Sequence, residues 1–298
     1  MAMKITFLGT GAMIPTAERN HTSILLSYEG ENILVDCGEG TQRQLRLAKV
    51  SPAKITKILI SHWHGDHVLG IPGLIQTLGA SEYSGILEVY GPIGTKKYFG
   101  AMFESFINEF AIEARVFDIG DGVFFESKDF KLEALSLEHS CRCLGYSFIE
   151  KDKRNINLAY TKKFGLVRHP ILKELQEGRD IEWKGQKIEA DKATTVKKGR
   201  KITFIMDTGY SNNIIKLAKD ADLLISEATH LDELREKTEK YKHLTAKQAA
   251  ELAKEANAKR LVLTHFSQRY NDLKEVEKEA KSIFKNSVCA KDFMEIEV

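Results

Sequence analysis

Cysteine is scarce in this sequence of 298 residues, which contains only four. Four cysteines cannot form a disulfide framework in a chain of this length, so we expect a reducing, cytoplasmic environment. Long apolar runs are absent as well, because none approaches the roughly 18 residues that span a bilayer. The first residues follow a strand-like pattern and lack the layout of a signal peptide. The sequence therefore predicts a cytoplasmic protein with no membrane partner.

The net charge is small, since 44 basic side chains are nearly balanced by 42 acidic ones, which leaves +2. Fixed-period repeats and low-complexity tracts are absent. With 43% hydrophobic and 29% charged residues, the composition is typical of a globular protein with a sizeable core and excludes a largely disordered chain. Taken alone, the total charge argues against a surface that binds nucleic acid.

The charge is unevenly distributed along the chain. Residues 151–200 contain 14 basic and seven acidic side chains, a net charge of +7, which leaves −5 for the rest of the chain. Apolar periodicity is weak in this segment, so we predict an inserted or projecting element, with a solvated linker as the alternative. The distribution of charge is therefore informative although the total is not.

Short apolar or alternating runs, separated by Gly, Asn and Glu, predict many strands. We expect them over residues 4–8, 23–28, 32–36, 56–61, 87–90, 130–137, 201–206, 223–226 and 260–264. Thr245 and Gln248 form a capping-box pattern that predicts the start of a helix, and residues 273–284 predict a second, amphipathic helix. Strands interleaved with helices in two similar halves predict an α/β layered domain.

The most informative stretch is His62-Trp63-His64-Gly65-Asp66-His67, which follows a predicted buried strand. Three imidazoles and a carboxylate within six residues are hard to explain as core packing, whereas they suit a bound cation. In an extended loop, His62 and His64 point to one side, while Asp66 and His67 turn toward a second point where a helix begins. These nitrogen and oxygen donors suit Zn²⁺ and tolerate Mn²⁺ or Fe²⁺.

Four residues cannot complete two coordination spheres, so further ligands should lie elsewhere in the chain. Three polar residues each follow a predicted strand, and these are His139, Asp207 and His265. Any one of them alone would more often be a satisfied polar group at a strand end. Three with the same placement favour metal ligation.

At these residues the sequence resembles the tRNase Z (ribonuclease Z) family of the metallo-β-lactamase superfamily. The pattern His-x-His-x-Asp-His is typical of the whole superfamily, and further motifs narrow the resemblance to this family. These motifs are Phe7-Leu8-Gly9-Thr10-Gly11, Asp36-Cys37-Gly38-Glu39-Gly40-Thr41-Gln42, Ser226-Glu227-Ala228-Thr229, His243 with Thr245, and Leu263-Thr264-His265-Phe266-Ser267-Gln268-Arg269-Tyr270. The resemblance runs from residue 4 to about residue 270 and covers nearly the whole chain.

The resemblance implies one domain over residues 1–298, a four-layered αββα metallo-β-lactamase sandwich with an inserted basic arm at about residues 151–200. It also implies a dinuclear metal site at the rim between two sheets, with two Zn²⁺ ions per chain and Mn²⁺ or Fe²⁺ as alternatives. The ligands carried over are His62, His64 and His139 for one ion, Asp66, His67 and His265 for the other, and Asp207 as the bridge. Two cations about 3.5–4 Å apart lower the pKa of a bridging water and clamp the attacking and leaving oxygens.

The same resemblance implies phosphodiester hydrolysis in which Asp66 accepts or orients the proton of the attacking hydroxide. Glu227 would orient His243, whose imidazole would protonate the leaving ribose 3′-oxygen or stabilise charge on the phosphate. From its position alone, His243 would be interpreted as an N-terminal residue of the helix that begins near Thr245.

Five further side chains attract attention without matching a catalytic motif. Cys141 and Cys143 lie close to His139, and we expect ordinary packing for both because a third metal site would need more ligands. The other three are His21, His169 and His230, which we expect on the surface or in loops.

The leading hypothesis is an endoribonuclease that processes the 3′ end of precursor tRNA and leaves a 3′-hydroxyl. In this family an arm grips tRNA away from the cleavage site, and residues 151–200 lie where that arm is expected. Their excess of Lys and Arg supplies a sequence-independent attraction to phosphates. Tyr160, Phe164 and Trp183 would either stack on bases or form a small core within the arm. The resemblance also implies a homodimer.

Other functions fit the same motifs less completely. A phosphodiesterase of this fold that acts on cyclic nucleotides or other small phosphodiesters would not need the basic segment. A thioester hydrolase or β-lactamase would leave Glu227 and His243 without a role. A non-catalytic nucleic-acid-binding scaffold is expected to have lost metal residues, whereas this sequence keeps the full set.

Overall fold

The computed structural model describes residues 3–107 and 112–298, and this part of the chain contains eighteen strands. They are β1 (Lys4–Gly9), β2 (Ser23–Tyr28), β3 (Glu31–Val35), β4 (Lys57–Leu59), β5 (Ile86–Pro92), β6 (Glu113–Ile119), β7 (Gly122–Glu126), β8 (Phe130–Leu137), β9 (Cys143–Glu150), β10 (Lys153–Ile156), β11 (Ile181–Trp183), β12 (Gln186–Ile188), β13 (Thr194–Lys197), β14 (Lys201–Ile205), β15 (Leu223–Glu227), β16 (Leu261–Thr264), β17 (Ser287–Cys289) and β18 (Glu295–Glu297).

Eleven α-helices lie in the same described residues. They are α1 (Thr41–Leu47), α2 (Gly65–Val68), α3 (Ile71–Ala80), α4 (Thr95–Glu104), α5 (Leu158–Thr161), α6 (Leu172–Gln176), α7 (Ala190–Ala193), α8 (Asn212–Ala218), α9 (Arg235–Lys240), α10 (Ala246–Glu255) and α11 (Lys274–Ile283). Short 3₁₀ turns cover Pro52–Lys54, Lys162–Phe164 and Asp232–Leu234. No helix of the described residues is both long and apolar enough to cross a membrane.

Two seven-stranded sheets dominate the structure. The first has the order β18-β1-β2-β3-β4-β5-β6, antiparallel from β18 to β3 and parallel from β3 to β6. The second has the order β17-β16-β15-β14-β9-β8-β7, with β14 to β17 parallel. Parallel strands end at the same edge of a sheet, so residues that follow them are brought close together.

Both faces of the first sheet are buried. Leu25, Leu34 and Ile58 are neighbours across β2, β3 and β4, and they pack in one cluster with residues of α1 and α3. The opposite face includes Tyr28, whose ring contacts Phe148 of β9 edge-on at 5.2 Å between centroids. The sheet therefore packs on helices with one face and on the second sheet with the other.

The second sheet is covered in the same way. Leu224, Leu261 and Leu263 form a cluster with Leu252 of α10 and Val276 of α11. Helix, sheet, sheet and helix thus follow one another as four layers, which confirms the predicted αββα architecture.

The two predicted helices are present. Thr245 Oγ1 accepts the backbone N–H of Gln248 at 3.1 Å, and Gln248 Oε1 accepts that of Thr245 at 2.9 Å, which completes the capping box of α10. Residues 273–284 were expected in the second helix, and α11 covers Lys274–Ile283.

The chain divides into two compact units. The first comprises the residues up to Phe125 together with Leu132–Phe148 and Lys201–Val298, and the second comprises Glu126–Lys131 and Ile149–Arg200. The second unit, called the arm below, has its own buried residues, which are Leu166, Leu175, Ile181, Ile188, Ala190 and Ala193. A solvated linker would not form such a core. Its apolar residues come from short elements, which explains why the sequence shows no clear periodicity.

The aromatic residues of the arm pack against this core. Tyr160, Phe164 and Trp183 are partly buried there, and the Trp183 indole N–H donates to the Phe164 carbonyl at 3.1 Å. Of the two alternatives for these rings, base stacking or a small core, the structure shows the core, with the rings partly buried against it.

Candidate metal centre

The predicted ligands meet at the carboxyl edges of the two large sheets. His62 lies three residues beyond β4, Asp207 lies two beyond β14, and His265 directly follows β16. His139 lies two residues beyond β8, and Asp66 is in the first turn of α2. Because strands from both sheets end here, residues far apart in sequence converge on one buried point.

The first group of candidate ligands comprises three imidazole nitrogens and one carboxylate oxygen. His64 Nδ1 lies 2.9 Å from His62 Nε2 and 3.2 Å from His139 Nε2. Asp207 Oδ2 lies 3.7 Å from the same nitrogen of His62 and 4.0 Å from that of His139. Three imidazoles and one carboxylate oxygen therefore face a common point.

A second group shares the same aspartate. Asp207 Oδ1 lies 3.0 Å from His265 Nε2 and 3.4 Å from His67 Nε2. Asp66 Oδ2 lies 3.5 Å from His265 Nε2 and 3.3 Å from His67 Nε2. The two oxygens of Asp207 thus face one group each, which is the arrangement that a bridging carboxylate requires.

Unpaired buried atoms show that these groups suit cations. Asp66 Oδ1, His67 Nε2, Asp207 Oδ1 and His265 Nε2 are all buried, and none has a hydrogen-bond partner among the described residues. A buried polar atom without a partner costs about 1–3 kcal/mol. A divalent cation would satisfy His67 Nε2, Asp207 Oδ1 and His265 Nε2, which face one point. This set of imidazole and carboxylate donors fits Zn²⁺, Mn²⁺ or Fe²⁺.

A ring of polar groups fixes the orientation of the imidazoles. His67 Nδ1 contacts Asp36 Oδ2 at 2.6 Å, and Ser61 Oγ lies 3.0 Å from His62 Nδ1. His139 Nδ1 lies 3.1 Å from the Lys242 carbonyl oxygen. Each contact holds Nδ1 and leaves Nε2 free, as is usual for histidines that bind metal ions.

Asp36 belongs to a sequence motif for which no role was predicted, and in the structure it supports a candidate ligand. It accepts the backbone N–H of Ser61 at 2.7 Å and the Ser61 hydroxyl at 2.7 Å, besides its contact with His67. Its φ of 58° lies in the left-handed region, which Asp tolerates better than most residues. The following loop approaches α2 closely, since a Cβ on Gly38 would lie 2.5 Å from the Asp66 carbonyl oxygen.

The electrostatics keep the carboxylates charged. Burial raises the pKa of Asp207, but His265 and His67 outweigh burial and hold that pKa well below its usual range. Burial likewise raises the pKa of Asp66, and His67 lowers it by more. Burial lowers the pKa of His67, yet Asp207, Asp36 and Asp66 raise it well above normal. The point between them therefore has a strong negative field, which favours cations.

Glu227 and His243 form an ion pair beside the second group. Glu227 is completely buried, and its Oε1 lies 3.0 Å from His243 Nδ1. Thr208 N–H donates to the same oxygen at 2.8 Å, and the Thr229 hydroxyl donates to Oε2 at 2.6 Å. Burial lowers the pKa of His243, but the Glu227 carboxylate outweighs it and raises that pKa to about 9. The ring is stacked on His265 with 5.7 Å between centroids.

A cavity of about 400 Å³ opens onto both groups. Its wall includes the exposed side chains of Met13, Ile14 and Tyr241 at the mouth, and Lys242, Gln268 and His230 beside the buried histidines. The structure therefore joins the candidate ligands, the Glu227–His243 pair and an open approach in a single site.

The three unassigned histidines lie outside the named helices and strands, as the loop alternative predicted, but two of them are not on the surface. His21 and His230 are buried, and only His169 is exposed. His21 Nε2 lies 3.0 Å from the Met13 carbonyl oxygen, so this ring supports the loop at the cavity mouth. His230 lines the cavity itself. His230 directly follows the Glu227-Ala228-Thr229 motif, and this position is the one signal in the sequence that points to the cavity.

The four cysteines are all free. Cys143 is buried and its thiol contacts the Asp207 carbonyl oxygen at 3.2 Å, whereas Cys141 is exposed with its sulfur 4.0 Å from His64 Nε2. Cys143 thus packs beside the site through the backbone of a candidate ligand.

Family models match most of the chain. Residues 16–151 match the model described as the metallo-beta-lactamase superfamily, and residues 193–266 match a beta-lactamase superfamily domain. The fold, the convergent ligand groups and these matches define a metal-dependent hydrolase of the metallo-beta-lactamase superfamily.

Relatives over the full length narrow the assignment. A ribonuclease Z from Archaeoglobus fulgidus is 40% identical, covering 100% of this chain and 98% of the relative. Another from Methanosarcina acetivorans is 38% identical over 99% and 98% of the two chains. The crystal structure of the short form of human tRNase Z is 31% identical, with a TM-score of 0.73 over 99% of this chain and 98% of that one. The chain belongs to the ribonuclease Z family, which confirms the resemblance found in the sequence.

Proposed function

We propose that the chain cleaves precursor tRNA at its 3′ end by metal-dependent hydrolysis of one phosphodiester bond, which leaves a 3′-hydroxyl on the tRNA. Its full-length relatives are ribonucleases Z. The observation that carries the proposal is the single cavity that joins two candidate ligand groups to the buried Glu227–His243 pair.

Seven side chains would hold two divalent cations. His62, His64 and His139 face one point, Asp66, His67 and His265 face the other, and Asp207 has one oxygen toward each. We expect Zn²⁺ at both positions, with Mn²⁺ or Fe²⁺ as alternatives. Two such cations supply Lewis-acid polarisation of phosphate oxygens and lower the pKa of a water molecule.

Asp66 is placed to orient the proton of the attacking water. Its Oδ1 is buried without a partner, while Oδ2 faces His67 and His265. Because the pKa of Asp66 is strongly lowered, the side chain is ionised at neutral pH and can accept a hydrogen bond that orients the proton of the water.

His243 is placed to act on the leaving group. Its raised pKa keeps the ring protonated at neutral pH, so it can donate a proton to the ribose 3′-oxygen or a hydrogen bond to the phosphate. Glu227 acts through His243, because its carboxylate is buried behind that ring and has no exposed surface.

Replacing Glu227 tests this role. We expect Glu227→Gln to lower kcat for pre-tRNA by about 100-fold, within the usual range for general acid–base catalysis, because the neutral amide no longer keeps His243 protonated. Bis(p-nitrophenyl) phosphate has a leaving group that needs no proton, so its hydrolysis should change little. Steady-state kinetics on both substrates measure the difference.

The matched control is Glu255→Gln on α10, where the exposed carboxylate accepts a hydrogen bond from the Tyr210 hydroxyl at 2.9 Å. It should leave both activities unchanged. An equal loss of both activities in Glu227→Gln would show that Glu227 supports the fold or the metal ions and not the leaving group.

The arm supplies cations that are available to a polyanion. Nine of the 14 basic residues in segment 151–200 lie within 4 Å of a carboxylate of the arm. The other five have no such partner among the described residues, and all are exposed: Lys162, Lys163, Arg168, Lys184 and Lys197. We propose that these groups contact tRNA phosphates.

Two of these cations lie over aromatic rings of the arm. Lys163 lies over the Tyr160 ring at 5.7 Å, and Lys184 over the Trp183 ring at 5.9 Å. Trp183 also contacts His169, whose neighbour in the chain is Arg168. The free positive charge is therefore concentrated on one part of the arm.

Neutralising this patch should weaken binding in a salt-dependent way. A variant with Gln at Lys162, Lys163, Arg168 and Lys184 should raise KM for pre-tRNA and flatten the dependence of log KM on log salt by about 0.7–0.9 per lost phosphate contact. Its control carries Gln at four paired lysines, Lys173, Lys187, Lys192 and Lys198, and loses the same charge. Equal effects in the two variants would mean that only net charge matters.

We also propose a homodimer, on the strength of the family resemblance, and sedimentation equilibrium would test it. The cytoplasmic location expected from the sequence stays a prediction.

A further inference from the structure

His230 is a buried histidine in the cavity for which the proposed chemistry has no role. It is 8% exposed and lines the cavity together with His243, Asp207 and His265. Its backbone is fixed, since its carbonyl oxygen accepts the N–H of Ala246 at 2.9 Å at the start of α10. The starting point of the side chain is therefore fixed at the N-terminus of α10.

The tautomer of His230 follows from the hydrogen bond of its ring to Thr238. Thr238 Oγ1 lies 3.1 Å from His230 Nδ1, and the same hydroxyl donates to the Leu234 carbonyl oxygen at 2.8 Å. A hydroxyl has one hydrogen to donate, so Thr238 must accept from Nδ1–H. His230 Nε2 then has a lone pair and no hydrogen.

That lone pair has no partner in the described part of the chain. No hydrogen bond of His230 Nε2 occurs there, although the ring belongs to the cavity wall. Burial, assisted by Arg269, lowers the pKa of His230 to about 4. At neutral pH the ring is therefore uncharged and offers the cavity a hydrogen-bond acceptor.

An acceptor in this position selects among the groups of RNA. Phosphate oxygens are acceptors as well, so they cannot pair with Nε2, whereas a ribose 2′-hydroxyl or a base amine can donate to it. His230 lies near His243, the residue proposed to act on the leaving oxygen, because both contact Thr238. The Thr238 hydroxyl contacts the His230 ring, and the Thr238 carbonyl oxygen accepts the backbone N–H of His243 at 3.0 Å. The hydroxyl nearest a leaving 3′-oxygen is the 2′-hydroxyl of the same ribose.

We propose that His230 Nε2 accepts a hydrogen bond from the 2′-hydroxyl of the nucleotide on the 5′ side of the cut, and that it makes the enzyme selective for ribose at this position. The inference rests on the proposed cleavage of precursor tRNA and adds a specificity-determining residue to it. His230 binds and orients the substrate, and it transfers no proton.

The test compares pre-tRNA with an otherwise identical substrate that carries 2′-fluoro at the nucleotide 5′ of the cut. Fluorine keeps the electron withdrawal of the hydroxyl but cannot donate. We expect the wild-type protein to cleave the fluoro substrate with about tenfold lower kcat/KM, the size expected when a buried acceptor loses its donor.

Two variants separate the acceptor from the packing. His230→Asn can still donate to Thr238 but has no acceptor at the place of Nε2, so it should cleave both substrates equally, about tenfold below wild type on the natural one. His230→Gln places its amide oxygen near the position of Nε2 and should restore part of the preference for ribose. Metal content should be unchanged in both variants.

Thr238→Val tests the assignment of the tautomer. The valine has nearly the same shape but cannot accept from Nδ1–H, so the ring is free to place its hydrogen on Nε2. We expect the preference for ribose to fall in this variant as well.

Several results would overturn the inference. Equal cleavage of the two substrates by the wild-type protein would show that His230 Nε2 does not bind the 2′-hydroxyl. An undiminished preference for ribose in His230→Asn would show the same. A substrate with adenine at this nucleotide can also be compared with one that carries unsubstituted purine, which lacks the exocyclic amine. If this change lowers cleavage more than the fluoro change does, and only when His230 is present, the donor is a base amine and not the ribose. Failure of the wild-type protein to cleave unmodified pre-tRNA would instead overturn the proposed function, and this inference with it.

Discussion

Asp207→Asn should lower the hydrolysis of pre-tRNA and of a small phosphodiester alike by at least about a thousandfold, since both substrates depend on the same cations. Asp207 directs Oδ2 to one ligand group and Oδ1 to the other. The amide keeps the size of the side chain but has only one oxygen and no charge. Two cations a few ångströms apart would then lack the carboxylate that offsets their repulsion.

Metal analysis of the purified variant checks the cause of that loss. We expect close to two divalent ions per wild-type chain and about one or fewer in Asp207→Asn, measured by inductively coupled plasma mass spectrometry. Asp272→Asn is the control, because that exposed carboxylate contacts Lys274 away from the ligand groups. Full metal content with normal turnover in Asp207→Asn would contradict the assignment of a shared ligand.

Removal of the arm should lower the cleavage of pre-tRNA but leave the hydrolysis of a small phosphodiester nearly unchanged. Lys153 and Lys197 are partners across β10 and β13, so residues 154–196 can be replaced by Asn-Gly, which forms a two-residue hairpin turn. The stem should persist, since Glu150 N–H donates to the Arg200 carbonyl oxygen at 2.9 Å and Gly199 N–H donates to Asp152 at 2.9 Å.

We expect this variant to lose at least about 100-fold in kcat/KM for pre-tRNA, because the phosphate contacts proposed for the arm would supply most of the sequence-independent affinity. Hydrolysis of bis(p-nitrophenyl) phosphate and the metal content should stay within about twofold of wild type, as the arm contributes no candidate ligand. Equal losses on both substrates would contradict the role of the arm. Full cleavage of pre-tRNA would favour the alternative of a phosphodiesterase for small substrates.

Local patterns in the sequence are sufficient to predict most of the candidate ligands, because four of them lie close together in the chain. His62, His64, Asp66 and His67 lie within six residues, and the strand-end placement of Asp207 reflects how parallel strands deliver residues to one edge. The capping box at Thr245 is equally local, and it is present as predicted.

What the sequence could not predict depends on tertiary neighbours. Asp36 acts through Ser61 and His67, which lie 25 and 31 residues away. The role inferred for His230 depends on Thr238 and on the cavity, neither of which has a signal in the local sequence. Strand β9 is also not predicted by the pattern of apolar residues. Its Gly145 interrupts the apolar run, but a Cβ there would lie 2.9 Å from the side chains of Leu137 and Leu217.

We expect this chain to hydrolyse precursor tRNA with metal ions held by the seven converging side chains. The most direct test is to incubate the metal-loaded protein with an end-labelled pre-tRNA, with and without prior removal of metal by a chelator, and to map both new ends. We predict one cut at the 3′ end of the tRNA, a 3′-hydroxyl on the tRNA and a 5′-phosphate on the trailer, with cleavage abolished by the chelator and restored by Zn²⁺ or Mn²⁺. A 2′,3′-cyclic phosphate on the tRNA, cleavage that survives metal removal, or no cleavage at all would contradict the account.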